Sequence, residues 1–171
     1  MIRYRDATIE DAALIAELFE AGFVETFGHL YTPQDLKAFL ARLSPEGFRG
    51  ELADEAYQFR LAFDGEPAAG FCKLGPLTLP VSPERPALEL RQLYLLKPWY
   101  GSGIAATLMD WALGEARRRG TEELYLTVYT DNLRAKAFYR RFGFDYVKPY
   151  AFMVGDHADE DEIWRRAWHE R

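Results

Sequence analysis

The 171-residue sequence predicts a single α/β domain, a mixed and mostly antiparallel central sheet flanked by helices. Three observations carry that expectation. Short apolar segments, alternating or continuous, are bounded by Gly, Pro, Asn and Asp, as strands are. Amphipathic stretches with helix-start and helix-stop residues lie between them. One succession, LELRQLYLL, then TLMDWALGEARRRG, then EELYLTVYT, reads as a strand–helix–strand crossover with parallel strands.

In chain order, Met1–Asp6 alternates as a strand does, and Thr8 opens the amphipathic run IEDAALIAELFEAGFVETF. Asp11, three residues after Thr8, suits a capping arrangement with Asp in place of the usual Glu or Gln. A second helix starts at Thr32-Pro33, with proline at its first position, and SPEG is expected to end it. YQFRLAFDGEPAAGFCKLGPL gives two strands joined at Asp64-Gly65. Pro80, Pro83 and Pro86 mark a loop before the strand Ala87–Leu96. The long helix then runs from Gly103 to about Arg119, where Gly120 stops it. After EELYLTVYT, DNLRAKAFYRRFGF is a short helix closed by Gly143, and FDYVKPYAFMV supplies one or two strands. The acidic stretch GDHADEDE is expected to be a loop leading to a last strand, EIWRRAW. No repeat, low-complexity tract or linker divides the chain, so one domain is expected over residues 1–171.

Composition limits the function classes. A hydrophobic content of 49% with 15% aromatics supplies a packed core and excludes a disordered chain. The net charge of −6 argues against nucleic acid or an anionic membrane surface as the main partner, because phosphate contacts need a basic face. No apolar run has the length of a bilayer crossing. The opening MIRYRDATIEDAALIAELF lacks the features of a signal peptide, and a lone cysteine, Cys72, precludes an internal disulfide; both favour the cytoplasm. Cys72 lies in an apolar strand setting and reads as core filler rather than nucleophile. His29 and His157 lack ligand spacing, so no metal site is expected.

The chemistry-bearing stretch is YGSGIAA, Tyr100 to Ala106. Two glycines before a helix start leave backbone N–H groups free to converge on an anion, most often a phosphate. Gly101, Gly103 and Ala106 formally satisfy the dinucleotide pattern G-x-G-x-x-A. That reading fails on context. KPW separates the glycines from the strand, three strands precede it, and no acidic residue ends the next strand at the required distance. A Walker loop fails as well, since no Gly-Lys-Ser/Thr occurs.

LRQLYLLKPWYGSGIAATLMDWAL followed by LTVYTDNLRAKAFYRRFGF resembles the Gcn5-related N-acetyltransferase (GNAT) superfamily. Gly103 and Ala105 match its Q/R-x-x-G-x-G/A block, and Asn132, Ala135, Tyr139, Gly143 and Phe144 match its N-x-x-A-x-x-x-Y-x-x-x-G-F block. Tyr100 departs from the pattern, standing where Gln or Arg is usual, while Gly101 adds a further side-chain-free N–H.

The resemblance implies a sheet whose strands splay at the cofactor site, and direct transfer of acetyl from acetyl-CoA to an amine. Gly101, Ser102, Gly103, Ile104, Ala105 and Ala106 would cradle the pyrophosphate, and Leu93, Tyr94 and Leu95 would pair with the pantetheine arm. The Leu95 N–H would then face the acetyl carbonyl, and Asn132 would cap its helix while also bonding the arm. Tyr139 is the expected general acid, a phenol that keeps its proton at neutral pH. Where some relatives carry a base on the strand before the Asn block, this chain has Thr127; Glu89 is the remaining candidate base, acting through water. The alternative stays open that Glu89 is only an exposed strand carboxylate and the amine loses its proton to bulk water with no dedicated base.

The acceptor is expected to be a small-molecule amine. FVETFGHLYTPQDL and AFMVGDHADEDEIWRR resemble bacterial members related to the polyamine acetyltransferases, and Asp156, Asp159, Glu160, Asp161 and Glu162 would suit a polycation. A charge run of this kind is more often a solvated loop or hairpin. Phe27, His29, Tyr31 and Tyr150 are pocket candidates without assigned roles. A non-catalytic acetyl-CoA-binding regulatory module and a peptide or protein N-terminal acetyltransferase stay open as alternatives, as does a homodimer paired along the C-terminal strands.

Overall fold

The structure is a computed structural model and describes residues 1–168. The final three positions of the expected 1–171 domain lie outside the described residues. Strands β1 (Ile2–Asp6), β2 (Gln58–Asp64), β3 (Ala68–Gly75), β4 (Ala87–Leu95), β5 (Glu123–Tyr129), β6 (Asp145–Val154) and β7 (His157–Ala167) form one sheet in the order β1-β2-β3-β4-β5-β7-β6. All neighbours are antiparallel except β4 and β5. The helices are α1 (Ala12–Phe27), α2 (Pro33–Ala41), α3 (Pro45–Leu52), α4 (Ile104–Arg118) and α5 (Leu133–Arg141). Among the described residues no helix is long and apolar enough to cross a membrane.

Two expectations are corrected. SPEG does not end the second helix but begins a third. Ser44 accepts a hydrogen bond from Gly47 N at 3.3 Å, and Pro45 takes the first helical position, where its missing N–H costs nothing. The acidic stretch is not a loop either. Only Gly155 and Asp156 form the turn, and His157 onward belongs to β7, paired with β6 from Val154↔His157 and with β5 from Tyr129↔Asp161. Strand pairing on both sides outweighed the low strand propensity of Asp and Glu.

The sheet is buried on both faces. Against one face lies α4, whose Leu108, Met109, Ala112 and Ala116 pack with Leu124, Phe144 and Trp164. Against the other lie α1 and α3, with Phe19, Phe23 and Phe48 meeting Phe59 and Phe71. The feature that matters for function is the β4/β5 junction. These strands pair only from Ala87↔Glu123 to Glu89↔Tyr125. Beyond Glu89 they part, because β4 follows β3 through a bulge between Lys73 and Leu74, while β5 follows β7. A bulge adds local twist and bend, and Arg91 is the extra residue between Leu90 and Gln92. The close β3–β4 approach depends on Gly70, where a Cβ would sit 2.2 Å from the Tyr94 carbonyl oxygen.

Candidate functional site

The parted strands open a cleft of about 770 Å³. Its walls include Glu89, Leu93, Tyr94, Leu95, Gly101, Gly103, Ala105, Ala106, Asn132 and Tyr139, so two distant sequence blocks converge on one space. Leu93 and Leu95 pack their side chains into the α4-side core. Their backbone is turned the other way. Leu96 N bonds Ala69 O on β3, and strand N–H groups alternate in direction, so Leu95 N–H points into the split.

At one end of the cleft, Gly101 and Gly103 adopt φ of +78° and +86°. Only glycine holds that conformation without strain, and a Cβ at either position would meet no protein atom within 4 Å. The space above the loop is open. Among the described residues no hydrogen bond takes up the N–H groups of Gly101, Gly103, Ala105 or Ala106, which point from a loop and helix start toward that space. Ser102 and Ile104 sit differently from their expected role. Ser102 N and Oγ both bond Trp99 O, Ile104 N approaches Ser102 Oγ at 3.4 Å, and neither residue lines the cleft. The Ile104 side chain is 1% exposed and anchors the helix start in the core. Beside the loop, the Arg134 guanidinium lies 3.8 Å over the Tyr100 ring, bringing a cation to the position where the Gln or Arg of the motif is missing.

Asn132 caps α5, its Oδ1 accepting from Ala135 N at 3.2 Å, which leaves its amide nitrogen free for a ligand. Tyr139 packs edge-on against Phe138 and Phe144, and among the described residues its hydroxyl has no hydrogen-bond partner. Burial pushes that phenol well above its usual range, with Cys72 a lesser cause, so it stays protonated at any physiological pH. Cys72 itself is fully buried and its thiol is raised by burial, consistent with core filler. Glu89 faces the cleft but is already engaged: Oε1 accepts from Thr78 N at 3.1 Å and Thr78 Oγ1 at 3.2 Å, and Arg91 stands 3.9 Å away.

At the other end the wall is aromatic and acidic. Phe23, Phe27, Tyr31, Phe39, Tyr150 and Phe152 surround Asp159 and Asp161. Tyr31 donates its hydroxyl to Asp159, and His157 Nε2 lies 3.1 Å from the other Asp159 oxygen. Burial and that bond drive the Tyr31 phenol upward. Asp161 is 8% exposed, and burial, then Asp159 and Glu162, raise its carboxyl to about 7. The acidic run thus divides: Asp156 and Glu160 face solvent, and Glu162 pairs with Lys136 at 2.7 Å. The sequence marks all five carboxylates alike, and only the strand register separates Asp159 and Asp161, which turn inward, from the rest. Once the run is known to be a strand, counting back by twos from the apolar Ile163 marks both as inward positions. No group of His, Cys, Asp and Glu suited to a metal ion occurs among the described residues.

The family model described as Acetyltransferase (GNAT) family matches residues 15–144. An uncharacterised N-acetyltransferase of Lactobacillus delbrueckii subsp. lactis is 29% identical over 150 residues, 85% of either chain. Among solved structures, the PaiA N-acetyltransferase of Thermoplasma acidophilum, in complex with coenzyme A, superposes with a TM-score of 0.79 at 21% identity, covering 98% of this chain and 99% of that one. The ribosomal-protein-S18-alanine N-acetyltransferase of Escherichia coli gives 0.73 at 15% identity, covering 100% and 96%. At these identities the two structures speak for the fold.

Proposed function

The chain belongs to the acetyltransferase (GNAT) family, and on that premise we propose that it moves acetyl from acetyl-CoA directly to the primary amine of a small molecule. The observation that carries the reading is the parting of β4 from β5 after Glu89, which leaves a free strand edge running to a loop of unpaired N–H groups. That combination fits a long ligand with an amide-bearing arm and a phosphate terminus. Acetyl-CoA supplies the acyl group in activated form and departs as its thiol.

The chain's own residues then have separable tasks. Gly101, Gly103, Ala105 and Ala106 offer N–H donors to the phosphates, with Arg134 on Tyr100 adding charge. Leu93 and Leu95 present backbone groups to the arm, and the Asn132 amide nitrogen joins them. Leu95 N–H is fixed where negative charge develops on the carbonyl oxygen as nitrogen attacks. Tyr139 holds a proton on Oη for the departing sulfur as the C–S bond breaks. Ser102 and Ile104 belong to this reading as builders of the loop rather than as donors.

Polyamines are one acceptor class within this reading, and a cytoplasmic setting and a homodimer joined along the edge strand β6 complete it. The test is thiol release from acetyl-CoA across polyamines, amino acids, aminoglycosides, simple arylalkylamines and short peptides. Turnover on a small amine supports the proposal. Turnover on peptides alone moves the acceptor to a polypeptide N-terminus, and tight acetyl-CoA binding with no release under any amine favours a non-catalytic module.

A further inference from the structure

Within that acetyl-transfer reading, we propose that Asp161 is the residue that receives the acceptor's ammonium group and takes its proton, and that the acceptor is an alkyl- or arylalkyl-amine carrying a single ammonium.

The geometry begins with the sheet register. Asp161 on β7 lies opposite Tyr129 on β5 and Tyr150 on β6, so the three side chains share the face that lines the cleft. Buried to more than nine-tenths, its carboxylate has no hydrogen-bond or ion-pair partner among the described residues. A buried carboxylate without a partner is costly unless a ligand supplies one. The groups facing it are Asp159 and Glu162 on its own strand, Tyr129 from β5, Tyr150 from β6, Tyr94 from β4, and Tyr31 from the turn between α1 and α2. No cation is among them.

Of the other charged groups lining the cleft, Arg134 and Arg141 lie over the Tyr100 and Phe138 rings, and the rest have polar partners. Lys73, only 2% exposed, lies 3.0 Å from both Glu51 oxygens. Arg91 donates to Pro76 O and Thr78 Oγ1 beside Glu89, and Asp159 is held by Tyr31 and His157. Among the described residues Asp161 is therefore the one carboxylate of this aromatic chamber without a partner, which fits one ammonium with an apolar body.

The chemistry is a single proton transfer. An amine reaches the cleft as its ammonium and cannot attack until it is neutral. An N–H bond breaks, an Asp161 O–H bond forms, and the freed nitrogen pair faces the split where the acyl group is presented. With its carboxyl raised to about 7, Asp161 is a far better match for this task near neutral pH than an ordinary carboxylate. It returns the proton to solvent before the next turnover.

The experiment is a ¹³C NMR titration of protein labelled at aspartate Cγ, with coenzyme A present, the Asp161 signal being assigned by its loss in Asp161→Asn. The expected midpoint lies near neutrality, falls by about one pH unit or more with saturating 2-phenylethylamine, and stays in place with 2-phenylethanol. A midpoint in the ordinary carboxylate range, or one that ignores the amine, overturns the proposal. In parallel, Asp161→Asn should lower kcat/KM for 2-phenylethylamine by on the order of 100-fold. It should also remove the acid limb of the pH profile while leaving acetyl-CoA affinity within about twofold. Retained activity with the limb intact overturns the base role, and a tenfold kcat/KM preference for spermidine overturns the single-ammonium assignment. If the midpoint responds to amine while no thiol is released, the acceptor site stands and the transfer reading fails. Thiol release with an unresponsive midpoint means the reverse.

Discussion

Replacing Asp161 by Asn should stabilise the folded protein, and do so only where the native carboxyl is forced to ionise. Burial among Asp159, Glu162 and aromatic rings raises that carboxyl from 3.8 to about 7, a difference on the order of 4 kcal/mol between its charged and neutral forms. Between about pH 4 and pH 7 the folded chain keeps a proton that the unfolded chain has released. Stability therefore falls as pH rises through that window, and the full penalty is present above about pH 7. Roughly 3 kcal/mol of it develops between pH 5 and pH 8.5. Asn keeps the shape and cannot ionise, so the penalty disappears. At about 2–4 °C per kcal/mol for a chain of this size, the gain in Tm of Asp161→Asn over wild type should be about 5–10 °C larger at pH 8.5 than at pH 5. Thermal melts followed by circular dichroism at the two pH values give the number. Any packing cost of the amide is common to both and cancels. A gain that is absent, or equal at both pH values, would show that Asp161 ionises in the fold as freely as in water, and the reasoning about its site would be wrong.

Three other outcomes follow from the cleft. Tyr139→Phe should lower kcat by about 10- to 100-fold while the acetyl-CoA Kd stays nearly constant. Equal kcat values would remove the phenol from the proton path. Gly103→Val forces a β-branched residue to a φ of +86°, at a cost of about 1–2 kcal/mol in stability. It also fills open space above the loop, so acetyl-CoA affinity measured by calorimetry should fall by more than tenfold; unchanged affinity would place the phosphates elsewhere. Arg134→Ala, which removes the guanidinium stacked on Tyr100, should weaken acetyl-CoA by about fivefold at low salt and less at high salt. An effect independent of salt would argue for a packing role.

Four of the five helices, all but α3, were legible because their signals are local. Thr32 with Pro33 and the φ-positive Gly103 and Gly143 mark boundaries that the structure keeps within a residue or two. The strand–helix–strand crossover and the two glycines before α4 were equally plain, since hydrophobic period and turn chemistry act over a few residues. SPEG misled because a proline after serine both stops one helix and starts the next, and the choice depends on whether Phe48 finds a core to enter. The acidic strand misled for a similar reason. Five carboxylates in seven positions look solvated until a partner strand on either side fixes which of them turn inward.

By itself the sequence determined the fold class, the glycine-bearing loop before α4, the capped helix carrying Asn132 and Tyr139, and through their spacing the family. Tertiary structure alone decided that β4 leaves β5 after Glu89, that Ser102 and Ile104 serve the loop and core, and that Glu89 is tied to Thr78. It also decided that Asp161, distant in sequence from every motif, stands in the same cleft as Tyr139. The physical reason is range. Caps, turns and periodicities are set by neighbours in the chain, whereas burial, strand register and the ionisation of a carboxyl are set by whatever the folded sheet brings beside it.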